Sequence, residues 1–258
     1  MRSLGLLLLA AVAVCALSPE RQFAVAADLE RGFVRVVPPL ATGEELGEQR
    51  DIWILETTLK PMRMIWIDVT DSKTGQKAKE QIWYVVYKAV NRPLERKVDK
   101  SDTEPVNVQD PAPTQIFSPE ATLVAVDNSG TKVYADSILP EALAAIAKRE
   151  RLPLKNSVDV VGPIPPETAV GDKKENAIYG VFMFRGVDPR ADAYTLFLTG
   201  FSSAYQRGKD ADGKPVTLRR TLAVEYERPG DELNSMETEV RIKNDPRWIY
   251  RPDPAPSK

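Results

Sequence analysis

Between residues 52 and 91 the chain reads IWILETTLKPMRMIWIDVTDSKTGQKAKEQIWYVVYKAVN, three apolar runs of strand length parted by turn formers. Ile52 to Leu59 is stopped by Lys60-Pro61, Met62 to Thr70 by Asp71-Ser72-Lys73-Thr74-Gly75, and Gln81 to Val90 by Asn91-Arg92-Pro93. Each run is rich in β-branched and aromatic residues, which fit a pleated, half-buried surface. In the second, Ile65, Ile67 and Val69 alternate with Trp66, Asp68 and Thr70, so one face is buried and the other partly exposed. In the third, Trp83, Val85, Tyr87 and Ala89 oppose Ile82, Tyr84, Val86, Lys88 and Val90. Both faces are largely apolar, which predicts a central strand covered on both sides, with Trp83 and Tyr87 on one face of the core.

The period of two continues downstream. Thr122 to Val126 and Lys132 to Ala135 flank Asp127-Asn128-Ser129-Gly130, a hairpin by turn chemistry. Ile178 to Phe184 and Tyr194 to Thr199 flank a second turn sequence, Gly186 to Arg190. Val216, Leu218, Leu222, Val224 and Tyr226 alternate with Thr217, Arg219, Thr221 and Glu225, a half-buried antiparallel strand. Thr238, Val240 and Ile242 alternate with Glu239, Arg241 and Lys243, whose charges would protect a sheet edge. Helical spacing occurs once, in Leu139, Leu143 and Ile146. It predicts a helix from Pro140 to about Arg151 against one edge or end of the sheet. Asp136 or Ser137 would satisfy its first amides, and Lys148, Arg149 and Arg151 would suit its C-terminal dipole.

Roughly eight or nine short strands and one helix predict a mainly β chain, an antiparallel immunoglobulin-like β-sandwich over residues 48–250. Residues 27–47 read as an extended lead-in with one short strand, Phe33 to Val37. Residues 92–121 hold five prolines and a charged segment, either a linker dividing the chain into two units or a long loop across the sheet. Residues 251–258 read as a flexible proline-rich tail.

The first residues follow a different pattern. Arg2 precedes an apolar run from Leu4 to Leu17, and small residues at Ala24 and Ala26 fit signal peptidase, so residues 1–26 read as a signal peptide cleaved after Ala26. The run is about 14 residues, short of the roughly 20 needed to span a bilayer, and no permanent span is expected. The destination is periplasmic or extracellular. The alternative is a lipid anchor through Cys15, although Val14 is a poor residue to precede a lipidated cysteine.

Composition mainly removes chemistries. At 43% hydrophobic and 28% charged the chain has the make-up of a globular protein, and its net charge of −2 offers no footprint for nucleic acid. It has no histidine, and its only cysteine is Cys15. Ser-His-Asp, Cys-His and histidine-ligated zinc chemistry are therefore excluded.

The remaining motifs are weak. Asp210-Ala211-Asp212-Gly213 resembles half of a calcium loop, but Gly208 stands where the first aspartate belongs, and a plain Asp-Gly turn accounts for it. Asp188 and Asp192 are the calcium candidates, with Glu175 a conceivable neighbour, against the fact that Asp-Pro initiates turns and Arg190 can neutralise either carboxylate. Ser129 and Lys132 have S-x-x-K spacing but sit in a hairpin, whereas that chemistry needs the serine to open a helix. The chain has 37 acidic residues, and nothing selects a glycosidase pair among them. Trp53, Trp66, Trp83 and Tyr84 would form a sugar-stacking platform if they faced solvent; core packing is the default for aromatics in strands. No catalytic residue, no cofactor and no metal is assigned; calcium at Asp188 and Asp192 is the one weak candidate.

Trp83 to Asn91 resembles the central strand and following turn of immunoglobulin-like modules in exported bacterial proteins. Tyr134 to Ala142, Val187 to Asp192 and Arg228 to Glu232 are similar to blocks of a family of uncharacterised exported bacterial proteins. The resemblance implies export and a β-rich fold, and carries no catalytic residue over. The expectation is an exported, non-enzymatic binding or structural module of the bacterial envelope, with a protein or glycan partner. The alternatives are a carboxylate-dependent hydrolase acting on glycans, and a carbohydrate-binding module presenting at least two solvent-facing tryptophans on one sheet face.

Overall fold

The computed structural model describes residues 32–49, 51–70, 75–94, 115–127, 130–172, 174–191, 193–209, 213–227 and 239–252. Ala26, Cys15 and the rest of the leader lie outside the described residues. In chain order the elements are β1 (Arg35–Val37), α1 (Gly43–Glu48), β2 (Leu55–Leu59), β3 (Met62–Thr70), β4 (Lys77–Asn91), β5 (Ile116–Phe117), β6 (Glu120–Asp127) and β7 (Gly130–Ala135). There follow α2 (Pro140–Glu150), β8 (Gly162–Pro163), β9 (Ala177–Arg185), β10 (Ala193–Thr199), β11 (Tyr205–Lys209), β12 (Pro215–Glu227), β13 (Glu239–Ile242) and β14 (Arg247–Pro252).

Two long strands each organise a sheet. β4 pairs with β9 along one edge and with β2 and β3 along the other, and β1 extends β2. β12 pairs with β10 and β11 on one edge and with β13 and β14 on the other, and β6 and β7 continue outward from β10. All these pairings are antiparallel. β13 also pairs with β3, at Glu239 with Arg63 and Val240 with Met62, which joins the sheets along one side.

Leu59 faces Tyr87 and Arg63 faces Tyr84, so three residues, Lys60 to Met62, oppose two. Lys60-Pro61 is therefore a β-bulge within one edge rather than a turn between strands, and it re-aims the lysine side chain.

The main core lies between the sheets. Met62, Met64, Trp83, Val85, Tyr87, Phe182 and Phe184 from one sheet meet Leu123, Tyr194, Leu196, Leu222, Val224 and Tyr226 from the other. Trp83 packs on Tyr194 with ring centroids 5.0 Å apart, and Tyr87 stacks on Phe182 at 5.0 Å. The opposite face of β4, with Ile82, Tyr84 and Val86, packs under Leu139, Ala142 and Ile146 of the helical segment. The third run is thus covered on both sides, as its two apolar faces require. The helix lies across this outer face and not at an edge or end, because Val181 and Met183 of β9 and Ile67 and Val69 of β3 complete one apolar floor beneath it.

Other expectations need correction. Asp136 does not cap α2: its carboxylate accepts from the Met183 amide at 2.8 Å and from the Ser157 hydroxyl, and Leu139 takes the cap position without a side-chain bond. The lead-in contains a helix, α1, held by a capping box between Thr42 and Glu45. Arg251 and Pro252 of the tail belong to β14, which pairs with β12 from Leu218 to Ala223, and residues 253–258 lie outside the described residues. The Gly186 to Arg190 turn carries the chain between sheets, with β9 in one and β10 in the other. At its end the Tyr194 hydroxyl donates to the carbonyl of Asp188, six residues upstream, at 2.9 Å, a corner found in Greek-key sandwiches. The fold is an antiparallel β-sandwich; immunoglobulin-like connectivity within that class stays an expectation from strand spacing.

Candidate functional site

Between β10 and β11 the chain leaves the sheet for residues 200–204 and is stitched to the segment entering β2. The Trp53 amide donates to the Ser203 hydroxyl at 2.9 Å, the Ser203 amide to the Trp53 carbonyl at 3.0 Å, and the Leu55 amide to the Phe201 carbonyl at 2.9 Å. Gly200 makes the departure possible. Its φ is +86°, and a Cβ there would lie 2.2 Å from the Ser118 carbonyl oxygen, so no other residue fits.

β11 is then met by the end of α1. Gln49 donates to the Tyr205 carbonyl at 2.9 Å and accepts from the Tyr205 amide at 3.2 Å, a side chain that mimics strand pairing. Two adjoining cavities share Tyr205. One, of about 560 Å³, is bounded by Glu44, Gln49, Gln206 and Arg207; the other, of about 300 Å³, by Trp53, Ser118, Ser202, Ser203 and Thr217. Together they form a groove with two aromatic rings, amides and hydroxyls. Glu44 is its one carboxylate among the described residues. Such a set can stack against an apolar ring face and exchange hydrogen bonds; among the described residues its lining holds one carboxyl, where glycoside hydrolysis uses two.

α1 is anchored by a buried ion cluster. Arg220 meets Glu45 at 2.9 Å, each side chain 5% exposed, and donates to the Leu40 carbonyl at 2.7 Å; the Tyr250 hydroxyl also reaches Glu45. Burial holds the Arg220 pKa below its ordinary value, with Glu45 opposing that shift. A second cluster joins α2 to the bulge. Glu150 receives Lys60 at 2.9 Å, Arg63 at 2.9 Å and the Tyr84 hydroxyl at 2.7 Å. Burial pushes the Glu150 carboxyl upward, but these bonds outweigh it and hold it below the usual range. A third cluster sets Arg92 between Glu56, at 2.9 Å, and Glu175. All three are occupied in holding elements together.

The residues singled out by sequence are scattered. Asp188 accepts from Lys132 at 2.9 Å and from the Arg190 amide at 3.0 Å, and these bonds bring its pKa down to about 2. Its carboxylate is thus already neutralised, while Asp192 lies outside the described residues. Glu175 is held by Lys88 and Arg92. Ser129, Asp210 and Asp212 also lie outside the described residues. Trp66 is 62% exposed, Trp83 is fully buried, and Trp53 and Trp248 are partly buried against the core. Sequence reasoning missed the groove because it is built by residues such as Gln49 and Tyr205, 156 positions apart. The legible clue was the T-x-x-E capping box at Thr42 to Glu45, which fixes the helix at its rim.

Fold and site define an antiparallel β-sandwich with one aromatic and polar groove along a short edge strand. Compared with protein-family models, with curated proteins and with solved structures, the chain matches none. Among the described residues no three acidic, cysteine or histidine side chains converge as a metal site, and no helix is long and apolar enough to cross a membrane.

Proposed function

We propose that this protein is an exported, non-enzymatic β-sandwich module of the bacterial envelope that binds a glycan segment in the groove at Tyr205. The observation that carries this reading is the shared position of Tyr205, which borders both cavities beside Trp53 and among amides and hydroxyls. Aromatic faces stack on the apolar faces of sugar rings, and side-chain amides and hydroxyls satisfy the ring substituents. Export rests on the leader sequence, which ends at Ala26.

Co-sedimentation of the protein with purified envelope glycan tests the reading. Binding should fall by at least about tenfold in Tyr205→Ala and Trp53→Ala, as expected for the loss of one aromatic contact. Unchanged binding in both variants would move the site elsewhere, and release of new reducing ends by the wild-type protein would favour the hydrolase instead. Mass analysis of the exported chain tests the leader: the expected first residue is Ala27, whereas a lipid-modified Cys15 would show an anchor.

A further inference from the structure

On the far side of the sandwich from its main core, the end of α2 meets the Lys60 bulge around a cavity of about 400 Å³ bounded by Lys60, Arg63, Arg149, Glu150 and Arg151. Glu150 and, through Arg63, Glu239 at 2.8 Å are the carboxylates of this cluster. Among the described residues, four cations against two carboxylates leave two positive charges unmatched. Lys60 and Arg63 are engaged by Glu150. Arg149 donates to the Met64 carbonyl at 2.8 Å and lies 6.0 Å over the Tyr84 ring, with no carboxylate partner among the described residues. Arg151 has no ion pair among the described residues.

Arg151 is also the one described non-glycine residue with positive φ, at φ 56° and ψ 41°. It closes the helix in a left-handed conformation that ordinarily falls to glycine, because a Cβ is penalised there. Lys148 and Arg149 already bring two cations to that end of the helix dipole, and Arg151 adds a third at a position where glycine would fit without strain. A strained residue that carries a long cation to the rim of a positively charged cavity points to function. At this end of the helix the Ala147 carbonyl accepts from the Arg151 amide and, at 3.3 Å, from the Leu152 amide, and the clustered cations must outweigh the carbonyls that remain.

We propose that this cleft binds a phosphomonoester carried on a small organic moiety, held between Arg149 and Arg151 above the Lys60–Glu150–Arg63 floor. The class follows from charge and size. A phosphomonoester brings close to two negative charges near neutral pH, which matches the unmatched pair, and arginine forks bind its oxygens in bidentate fashion. The cavity is larger than a bare phosphate needs, which leaves room for the carrier.

Calorimetric titration of the full chain with glycerol phosphate at low ionic strength is the test. Saturable binding that weakens with salt is expected. Arg151→Gly should reduce affinity by at least about tenfold without lowering the melting temperature, because glycine suits the left-handed position. Arg151→Lys should regain part of the affinity, and Trp53→Ala should leave it unchanged, which separates this site from the glycan groove. Phosphatidic acid vesicles form a parallel arm: Arg151-dependent binding confined to vesicles assigns the phosphomonoester to a lipid, and binding of free glycerol phosphate assigns it to a soluble ligand. Equal affinity of wild type and Arg151→Gly, or no binding in either arm, overturns the proposal.

Discussion

The Lys60 ammonium lies 2.9 Å from the Glu150 carboxylate, with the two side chains only 4% and 3% exposed. The pair ties a bulge in the first sheet to the last turn of the helix that covers it. A carboxylate in that turn is disfavoured by the helix dipole, so its place depends on the cations it meets.

Loss of the two partners should therefore be unequal. Glu150→Leu strands Lys60 as a buried charge without a counter-ion and should cost about 3–5 kcal/mol. Lys60→Met leaves Glu150 with Arg63 and Tyr84 and should cost less, about 1–3 kcal/mol. The double variant should recover much of the loss, a coupling readable by denaturant titration of all four proteins. Equal and additive costs would contradict this account.

Acid should weaken the fold in a defined window. Glu150 and Asp188 both titrate below their ordinary range, Asp188 down to about 2. A group whose folded pKa is depressed contributes stability that is complete above its unfolded pKa and lost as pH falls through the folded one. The melting temperature should hold above about pH 5 and drop between about pH 4 and 2. Asp136 acts in the opposite sense, because burial raises its carboxyl and the folded state takes up that proton first. Glu150→Gln should lower stability at neutral pH and flatten the acid limb; an unchanged limb would show that Glu150 does not contribute to it.

Gly180 and Tyr87 fit too closely for a methyl group. A Cβ at Gly180 would lie 2.3 Å from the Tyr87 ring, which is already stacked on Phe182. Gly180→Ala should cost at least about 1–3 kcal/mol. The Tyr87 hydroxyl is buried without a hydrogen-bond partner among the described residues, so Tyr87→Phe should be neutral or stabilising, within about 1 kcal/mol. Thermal melts of the two variants would separate the effects.

The tryptophans divide as their burial dictates. Trp83→Ala should cost about 3–5 kcal/mol, whereas Trp66→Ser on the solvent face of β3 should stay within about 0.5 kcal/mol. A large loss for Trp66→Ser in the melting temperature would mean that its exposed ring is covered by something in solution.

Much of the fold was legible because it is written in short-range alternation. The phases of β3, β4 and β12, the double-faced burial of β4 and the extent of α2 follow from periods of two and of about 3.6, and β9 and β10 are placed by their apolar runs alone. The short pieces were not legible. β5, β8, β11 and β14 have too few residues, or too many polar ones, to alternate against a background, and they form because a neighbouring strand supplies their partners. Lys60-Pro61 read as a stop because proline ends many strands, yet the register across β4 accommodates it as a bulge.

By itself, then, the sequence determined which residues face inward along the long alternating strands β3, β4 and β12, and that histidine-based chemistry is unavailable. Tertiary structure alone decided which strands share a sheet, that α2 lies over β4, and which charges meet. Glu45 meets Arg220 across 175 positions, Glu150 meets Lys60 across 90, and Trp53 meets Ser203 across 150. Local periodicity sets only the direction of a side chain. Any of 35 cations could pair with any of 37 acids, and only the packing of distant strands fixes which pairs are buried together.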